Sequence, residues 1–468
     1  MSRAKLFVGN FFIYGLGSVL TKIVPFLMLP ILTRMITDPA IFGVFDIYTI
    51  IIRLCEPIVL LGGYDAMFRL FFDDEDVVFR KSICSNALLV VATTSAITIF
   101  SAFVAWLSNV YSGEYSWMIL SAGIAIAVNA IQTIVSAPTR MENRRRTFIL
   151  LSLVGPIFYY SSAVIFSLQG YPLEGLALGN ILSIVLVLSL YAMLNCSWFS
   201  IKNINKKNIK ELLIIGTPLV PSILVMWIFN SCDRFMIGKM ISLEAVGIYG
   251  IGAKLAAISQ GIYMAFAGGW QFFAFSTMKD KDHAHLLSHT YEILSILSIL
   301  SLAVILPWID IFFNAMVGGV YSQAAIVFPF LYISPLLLML SQISGTQLMV
   351  VKKPHLTIVF RLIGAVSNIV LNAIFIPHMG ILGAAMGTAM SYIIMTTLIT
   401  HLAVRMDLFF VEIRLIKISI CATALLFLYP FAKNAAIIAS YFLIFIIIIA
   451  YRNYIFSGFK NIYSRRVL

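Results

Sequence analysis

Apolar runs recur roughly every 30 residues along the whole 468-residue chain, separated by short polar stretches. Each run is close to the roughly 17–25 residues a helix needs to cross about 30 Å of hydrocarbon. They fall at 8–33, 41–64, 82–107, 116–139, 148–168, 174–195, 212–236, 245–269, 287–313, 321–350, 356–377, 381–403, 416–431 and 436–451. A membrane barrel would instead show alternating strands of about ten residues. The pattern predicts an all-α polytopic membrane protein with about 14 transmembrane helices. The first run is longer than the apolar core of a signal peptide and has no small-residue cleavage site, so it reads as a retained helix.

Composition agrees. The chain is 61% hydrophobic and 11% charged, whereas a soluble domain is about 45–50% apolar and about 25% charged. No polar stretch is long enough to fold as a separate soluble domain. About 24 of the 32 lysines and arginines fall on one side of the predicted spans, among them Arg144-Arg145-Arg146, Lys206-Lys207, Lys352-Lys353 and Arg465-Arg466. That bias predicts cytoplasmic termini and an even number of spans. It also accounts for the net charge of +12 without nucleic acid as a partner. The five cysteines are scattered in or beside apolar runs, and their spacing supports neither a disulfide framework nor a zinc site.

The chain repeats itself. Met35-Ile36-Thr37 and Gly43-Val44-Phe45 are answered by Met240-Ile241-Ser242 and Gly247-Ile248-Tyr249. Gly62-Gly63-Tyr64 is answered by Gly268-Gly269-Trp270, and Gly175, Gly179 and Ser183 by Gly383, Gly387 and Ser391. These offsets lie between 204 and 209 residues. Six spans fit in that period, so the halves share one orientation and form two parallel six-helix repeats. The expected organisation is an N-terminal lobe at 1–200, a second lobe at 201–405, and two additional helices with a basic tail at 406–468. Small residues at four-residue spacing let helices approach closely in lipid, which is the structural reading of Gly175/Gly179/Ser183.

Charges inside the spans are the candidate chemistry. The cations are Lys22, Arg53, Arg234, Lys254 and Arg361, and the acids are Asp46, Glu56 and Asp233. Five unpaired cations at about 3 kcal/mol each would cost roughly 15 kcal/mol, as much as the net stability of a whole fold. They cannot all face lipid. At about 1.5 Å per residue, Lys22 and Arg53 lie near mid-membrane and Lys254 about a third of the way in from the far side. Arg361 is one turn from the cytoplasm, where it can snorkel. Asp233-Arg234 sits near a helix end and reads equally as a local pair. Arg53 and Glu56, three residues apart, share a helix face. The candidate substrate-binding set is therefore Lys22, Arg53, Lys254, Arg234 and Arg361, with Asp46, Glu56 and Asp233 as coupling or charge-pairing residues.

Other marks carry less. His283, His285 and His289 read as a solvated helix face rather than metal ligands, and no metal site is expected. Asp73-Asp74-Glu75-Asp76 reads as a solvated loop, or as one side of a charged gate with Lys279 and Lys281. Tyr159-Tyr160, Trp227 and Trp270 serve either packing or sugar stacking.

The repeats, the Leu32–Phe45 turn (Leu-Thr-Arg-Met…Phe-Gly-Val-Phe) and the Asp233-Arg234…Gly247-Ile248-Tyr249…Lys254 stretch resemble the polysaccharide exporters. These are O-antigen-type lipid-linked oligosaccharide flippases of the multidrug/oligosaccharidyl-lipid/polysaccharide exporter superfamily. The resemblance covers nearly the whole chain. It implies two six-helix bundles around a central cavity, with two peripheral C-terminal helices. It implies a bacterial inner-membrane protein of lipopolysaccharide biosynthesis that moves an undecaprenyl-diphosphate-linked oligosaccharide to the periplasmic leaflet. The partners expected on that basis are this substrate, membrane lipids and other polysaccharide-assembly proteins. No cofactor is expected, and proton or sodium coupling stays open. A multidrug cation antiporter of the same superfamily is the alternative, and the cationic excess at Lys22, Arg53 and Lys254 argues against it. A membrane-embedded polymerase or ligase is a weaker third reading. Such an enzyme is expected to carry a sizeable external loop, and every external loop here is short. No nucleophile triad or phosphate-cradling glycine loop appears.

Overall fold

The computed structural model describes residues 23–110 and 113–452. Lys22, and with it most of the first expected span, lies outside them. Every other predicted run is helical, and no strand occurs among the described residues. Ten of the described helices are long and apolar enough to cross a membrane. By internal contacts the chain divides into two compact units, residues up to Gly250 with Val317–Tyr321, and the remainder.

The first unit contains α1 (Ile23–Met35), α2 (Pro39–Leu60), α3 (Gly63–Phe71), α4 (Val77–Leu107), α5 (Trp117–Met141), α6 (Arg145–Leu168), α7 (Pro172–Asn195), α8 (Lys206–Gly216) and α9 (Val220–Met240). The first turns of α10 (Leu243–Ser276) also belong to it. Asp38 starts α2 by accepting from the Ala40 amide at 2.9 Å, with Pro39 in the first turn. The expected span at 41–64 ends early. Leu61 and Gly62 adopt left-handed backbone, and a Cβ on Gly62 would overlap the backbone of Gly216. The chain therefore turns there and restarts as α3, a short amphipathic helix that buries Ala66, Met67, Leu70 and Phe71. The segment after α7 is tied to α4 by polar bonds. Ser82 Oγ donates to the Asn203 carbonyl at 2.7 Å, and Asn86 Oδ1 accepts from the Asn205 amide at 3.0 Å.

The second unit contains the rest of α10, then α11 (His283–Ile305), α12 (Ile309–Met316), α13 (Phe328–Val350), α14 (Pro354–Arg405), α15 (Ile413–Leu428) and α16 (Lys433–Ala450). Residues Gly319–Ile326 form a tighter 3-10 stretch, so α13 starts later than the run at 321–350 suggested. Although α14 counts 52 residues, it is two crossings. Gly380 at φ 60° and ψ −138° breaks it, and the two limbs return side by side. Asn368 Nδ2 donates to Thr388 Oγ1 at 3.2 Å, and a Cβ on Gly383 would overlap the Phe375 carbonyl. The two C-terminal helices are fastened to this unit. Tyr451 donates to Glu292 at 2.6 Å, Arg414 donates to the Ala450 carbonyl at 2.9 Å, and Lys433 pairs with Asp310.

The repeat seen in the sequence recurs as geometry inside each unit. Gly175 and Gly179 of α7 lie against Phe166 and Ala163 of α6. Gly383 and Gly387 lie against Phe375 and Asn372, each 209 residues further on. Turns correspond as well. Asn143 and Lys352 are both left-handed, at φ 58° and 60°, as are Gly170 and Gly380, at φ 88° and 60°. Only small residues allow backbones this close within lipid. The fold is thus the predicted all-α one, built on two parallel repeats with two helices appended.

Candidate functional site

Within the first unit, α2 and α9 bring five of the predicted charges together. Arg234 Nε lies 3.0 Å from Asp46 Oδ2, with both side chains largely withdrawn from solvent. Beside that pair, Asp233 is buried and accepts from the Tyr249 hydroxyl at 2.5 Å and from the Arg234 amide at 2.8 Å. Asp233-Arg234 is therefore not a self-contained pair, because the arginine reaches across to α2. The Trp227 indole of α9 adds a bond to the Ile50 carbonyl at 3.1 Å, which ties the same two helices.

A glycine contact sets their neighbourhood. A Cβ on Gly43 would overlap the Leu243 carbonyl, and one on Gly247 would overlap the Pro39 carbonyl. The two glycines are 204 residues apart, as are Pro39 and Leu243, so the contact is self-complementary under the repeat. One turn on, Asp46 Oδ2 would touch a Cβ placed on Gly250, its own counterpart at the same offset. The second repeat leaves room where the first places a carboxylate.

Arg53 is different. It stands two turns beyond Asp46 on α2, surrounded by protein and near Arg234, Asp46 and Glu56, yet its side chain stays accessible. It makes no ion pair or hydrogen bond among the described residues. Glu56 shares its helix face but does not pair with it. The Glu56 carboxylate accepts instead from Asn129 Nδ2 at 2.8 Å and Thr133 Oγ1 at 3.3 Å, both on α5. Those α5 residues were not among the predicted site. Their signal was present, since Asn129, Gln132 and Thr133 put three polar side chains on one face of an apolar span.

Lys254 and Arg361 belong to the second unit. Lys254 is partly buried on α10. Arg361, two turns into α14, is exposed and has no ion pair or hydrogen bond among the described residues. It borders a small cavity of about 40 Å³ with Gln271, Gln342 and Thr346. Among the described residues no group of three acidic, histidine or cysteine side chains could hold a metal. His283 bridges Thr277 and Gln347, and His285 packs edge-on against Phe410. Trp270 donates to Thr346 Oγ1 at 3.0 Å, a packing role. In the acidic loop, Asp76 caps α4 and Asp73 pairs with Arg69.

Solved structures with the same fold are transporters. The chain resembles the lipid II flippase MurJ in its inward closed conformation at TM-score 0.66 and 14% identity, over 93% of this chain and 100% of that one. It resembles an inward-facing multidrug resistance MATE family transporter of the MOP superfamily at TM-score 0.62 and 15% identity, over 84% and 94%. A MOP superfamily transporter from Pyrococcus furiosus superposes at TM-score 0.57 and 13% identity, over 86% and 95%. Likeness at these identities establishes the fold alone. No curated protein matches the chain. Residues 31–312, more than half of the chain, match the model of the family described as polysaccharide biosynthesis protein. This multi-pass membrane protein, with its transporter fold, belongs to the polysaccharide biosynthesis protein family.

Proposed function

We propose that the chain is a flippase for an undecaprenyl-diphosphate-linked oligosaccharide of the O-antigen type. It carries that lipid from the cytoplasmic to the periplasmic leaflet of a bacterial inner membrane by alternating access, with both termini cytoplasmic. It is a carrier and makes or breaks no bond. The observation that carries the reading is Arg53, a guanidinium among protein atoms and yet without a partner among the described residues. An uncommitted cation at that depth is costly unless it meets water or an anion. Arginine offers a diphosphate charge-assisted, forked hydrogen bonds that replace part of its hydration. Lys22, Lys254 and Arg361 are the further cations of that reading.

The tail and the driving force fit the same picture. In the second unit a hollow of about 750 Å³, mostly apolar, runs along α13, α14 and α15 past Leu337, Leu340, Ile393, Val404, Leu415 and Ile420. A polyprenyl chain lying there would stay out of water while its head group crosses. With the membrane negative inside, each outward-moving anionic charge gains about 2.3 kcal/mol per 100 mV. A diphosphate with about two charges therefore gains roughly 4–5 kcal/mol per 100 mV, without proton or sodium coupling.

One observation favours a second reading. The described cluster in the first unit holds three carboxylates, Asp46, Glu56 and Asp233, against two cations, Arg53 and Arg234. A multidrug cation antiporter would use such acids. Deleting the gene separates the readings. Accumulation of a lipid-linked glycan on the cytoplasmic leaflet supports the flippase, whereas drug sensitivity with normal surface glycan supports the antiporter.

A further inference from the structure

We infer that a neutral hollow inside the first unit is a sugar subsite, built to hold one uncharged hexose or N-acetylhexosamine ring of the transported glycan. This rests on the flippase reading and adds to it where the carbohydrate is read. The hollow, of about 300 Å³, is lined by Asn129 and Gln132 of α5, Ser152, Tyr159 and Tyr160 of α6, and Asn180 of α7. That size is at the lower end of the roughly 300–1,000 Å³ usual for small-molecule sites.

The lining groups are short of partners. Gln132 Oε1 is buried with no hydrogen bond. Asn180 and the hydroxyls of Tyr159 and Tyr160 make none among the described residues. Asn129 spends its amide on Glu56 and keeps its carbonyl oxygen. Tyr159 is held in place by stacking on Phe45 at 6.2 Å and by edge contact with Tyr160 at 4.6 Å. A buried polar group left without a partner costs about 1–3 kcal/mol, so several around one hollow call for a hydroxyl-rich occupant or for water. Amides, phenols and an aromatic face are the groups that match sugar hydroxyls and the apolar face of a pyranose.

Position and charge sharpen the assignment. Asn129 lies halfway along its helix, at the depth where carriers of this architecture bind substrate. The lipid-exposed residues Ile157 and Leu182 lie on other faces of α6 and α7 than buried Gly155 and Ser183, which border the hollow. The second repeat makes the contrast. Ser152 corresponds to Arg361, 209 residues on, and Arg361 borders the cavity that Gln342 shares. The same place in the two repeats is thus neutral and tyrosine-lined in one and cationic in the other. No cation lines the first-unit hollow, and Glu56 stands behind Asn129. An acidic sugar would find no counter-charge there.

The test uses the purified full-length protein in lipid nanodiscs and two probes. One is undecaprenyl diphosphate without sugar, and the other is the polyprenyl-diphosphate glycan fraction extracted from source-cell membranes. Gln132→Leu and Asn180→Leu are expected to weaken binding of the glycolipid about tenfold and to leave binding of the sugar-free lipid unchanged. Tyr160→Phe, which keeps the ring and should fold in any case, is expected to weaken the glycolipid alone by several-fold. If both probes weaken together, or neither does, the sugar subsite is wrong while the flippase reading stands. If the wild-type protein binds neither probe, the flippase reading fails and this inference falls with it.

Discussion

Removing Asp46 should unfold more of this protein than removing any other charge in its first unit. Asp46→Asn keeps the shape and leaves Arg234 without its counter-charge. At 3.0 Å and an effective dielectric of about 20, the lost attraction is roughly 5–6 kcal/mol before desolvation is counted. Truncating one partner of a buried pair costs about 3–5 kcal/mol in practice. The expected value lies near the lower bound, about 3 kcal/mol, for two reasons. The Nε and Oδ2 atoms face each other without making an aligned hydrogen bond, and Asp233 stays close enough to Arg234 to compensate in part. The double variant Asp46→Leu/Arg234→Leu should recover most of the loss, because a charge-free pair carries no desolvation penalty. Reversible unfolding in mixed micelles, run as a double-mutant cycle, should give a coupling of about 2–3 kcal/mol. Additive single losses, or Asp46→Asn as stable as wild type, would show that the pair does not hold α2 to α9.

The other perturbations separate structure from transport. Arg53→Ala should leave thermal stability unchanged or raise it, because no ion pair or hydrogen bond is lost among the described residues, while glycan export at normal expression falls; full export with Ala at this position would remove Arg53 from the site. Tyr249→Phe should cost about 1.5–3 kcal/mol by the same unfolding assay, since it deletes a hydrogen bond to the buried carboxylate of Asp233; a loss below about 0.5 kcal/mol would mean that Asp233 has another partner. Gly43→Val and Gly247→Val should each cost about 1–3 kcal/mol or prevent folding, because each new side chain meets a backbone carbonyl rather than a movable side chain; two well-folded variants on size-exclusion chromatography would refute the close crossing.

The fold was legible because a membrane fold is written in coarse signals. Run length gave the helices, and the constant offset between Gly175/Gly179 and Gly383/Gly387 gave the repeat, which the packing of the same glycines on Phe166 and Phe375 bears out. What the runs hid were their interruptions. An apolar window passes through Leu61-Gly62 without pause, because left-handed backbone leaves no mark on hydropathy. The start of α3 and the late start of α13 are set by close approach and local turn geometry, and neither has a periodic signature.

The charges were legible as a list and not as a circuit. Sequence position makes Arg53 and Glu56 natural partners and Asp233 and Arg234 another natural pair, since both sets sit within one turn of their own helix. The fold overrides both pairings. Arg234 reaches to Asp46 on α2, Asp233 takes the hydroxyl of Tyr249, and Glu56 takes two neutral donors from α5. Each exchange links two helices, whereas a pair within one turn would link none, so a buried charge does more for tertiary structure when its partner is distant in sequence. Satisfying the three acids in this way leaves one basic side chain over. That remainder is Arg53, and it is uncommitted because the acid nearest to it in sequence is held by Asn129 and Thr133.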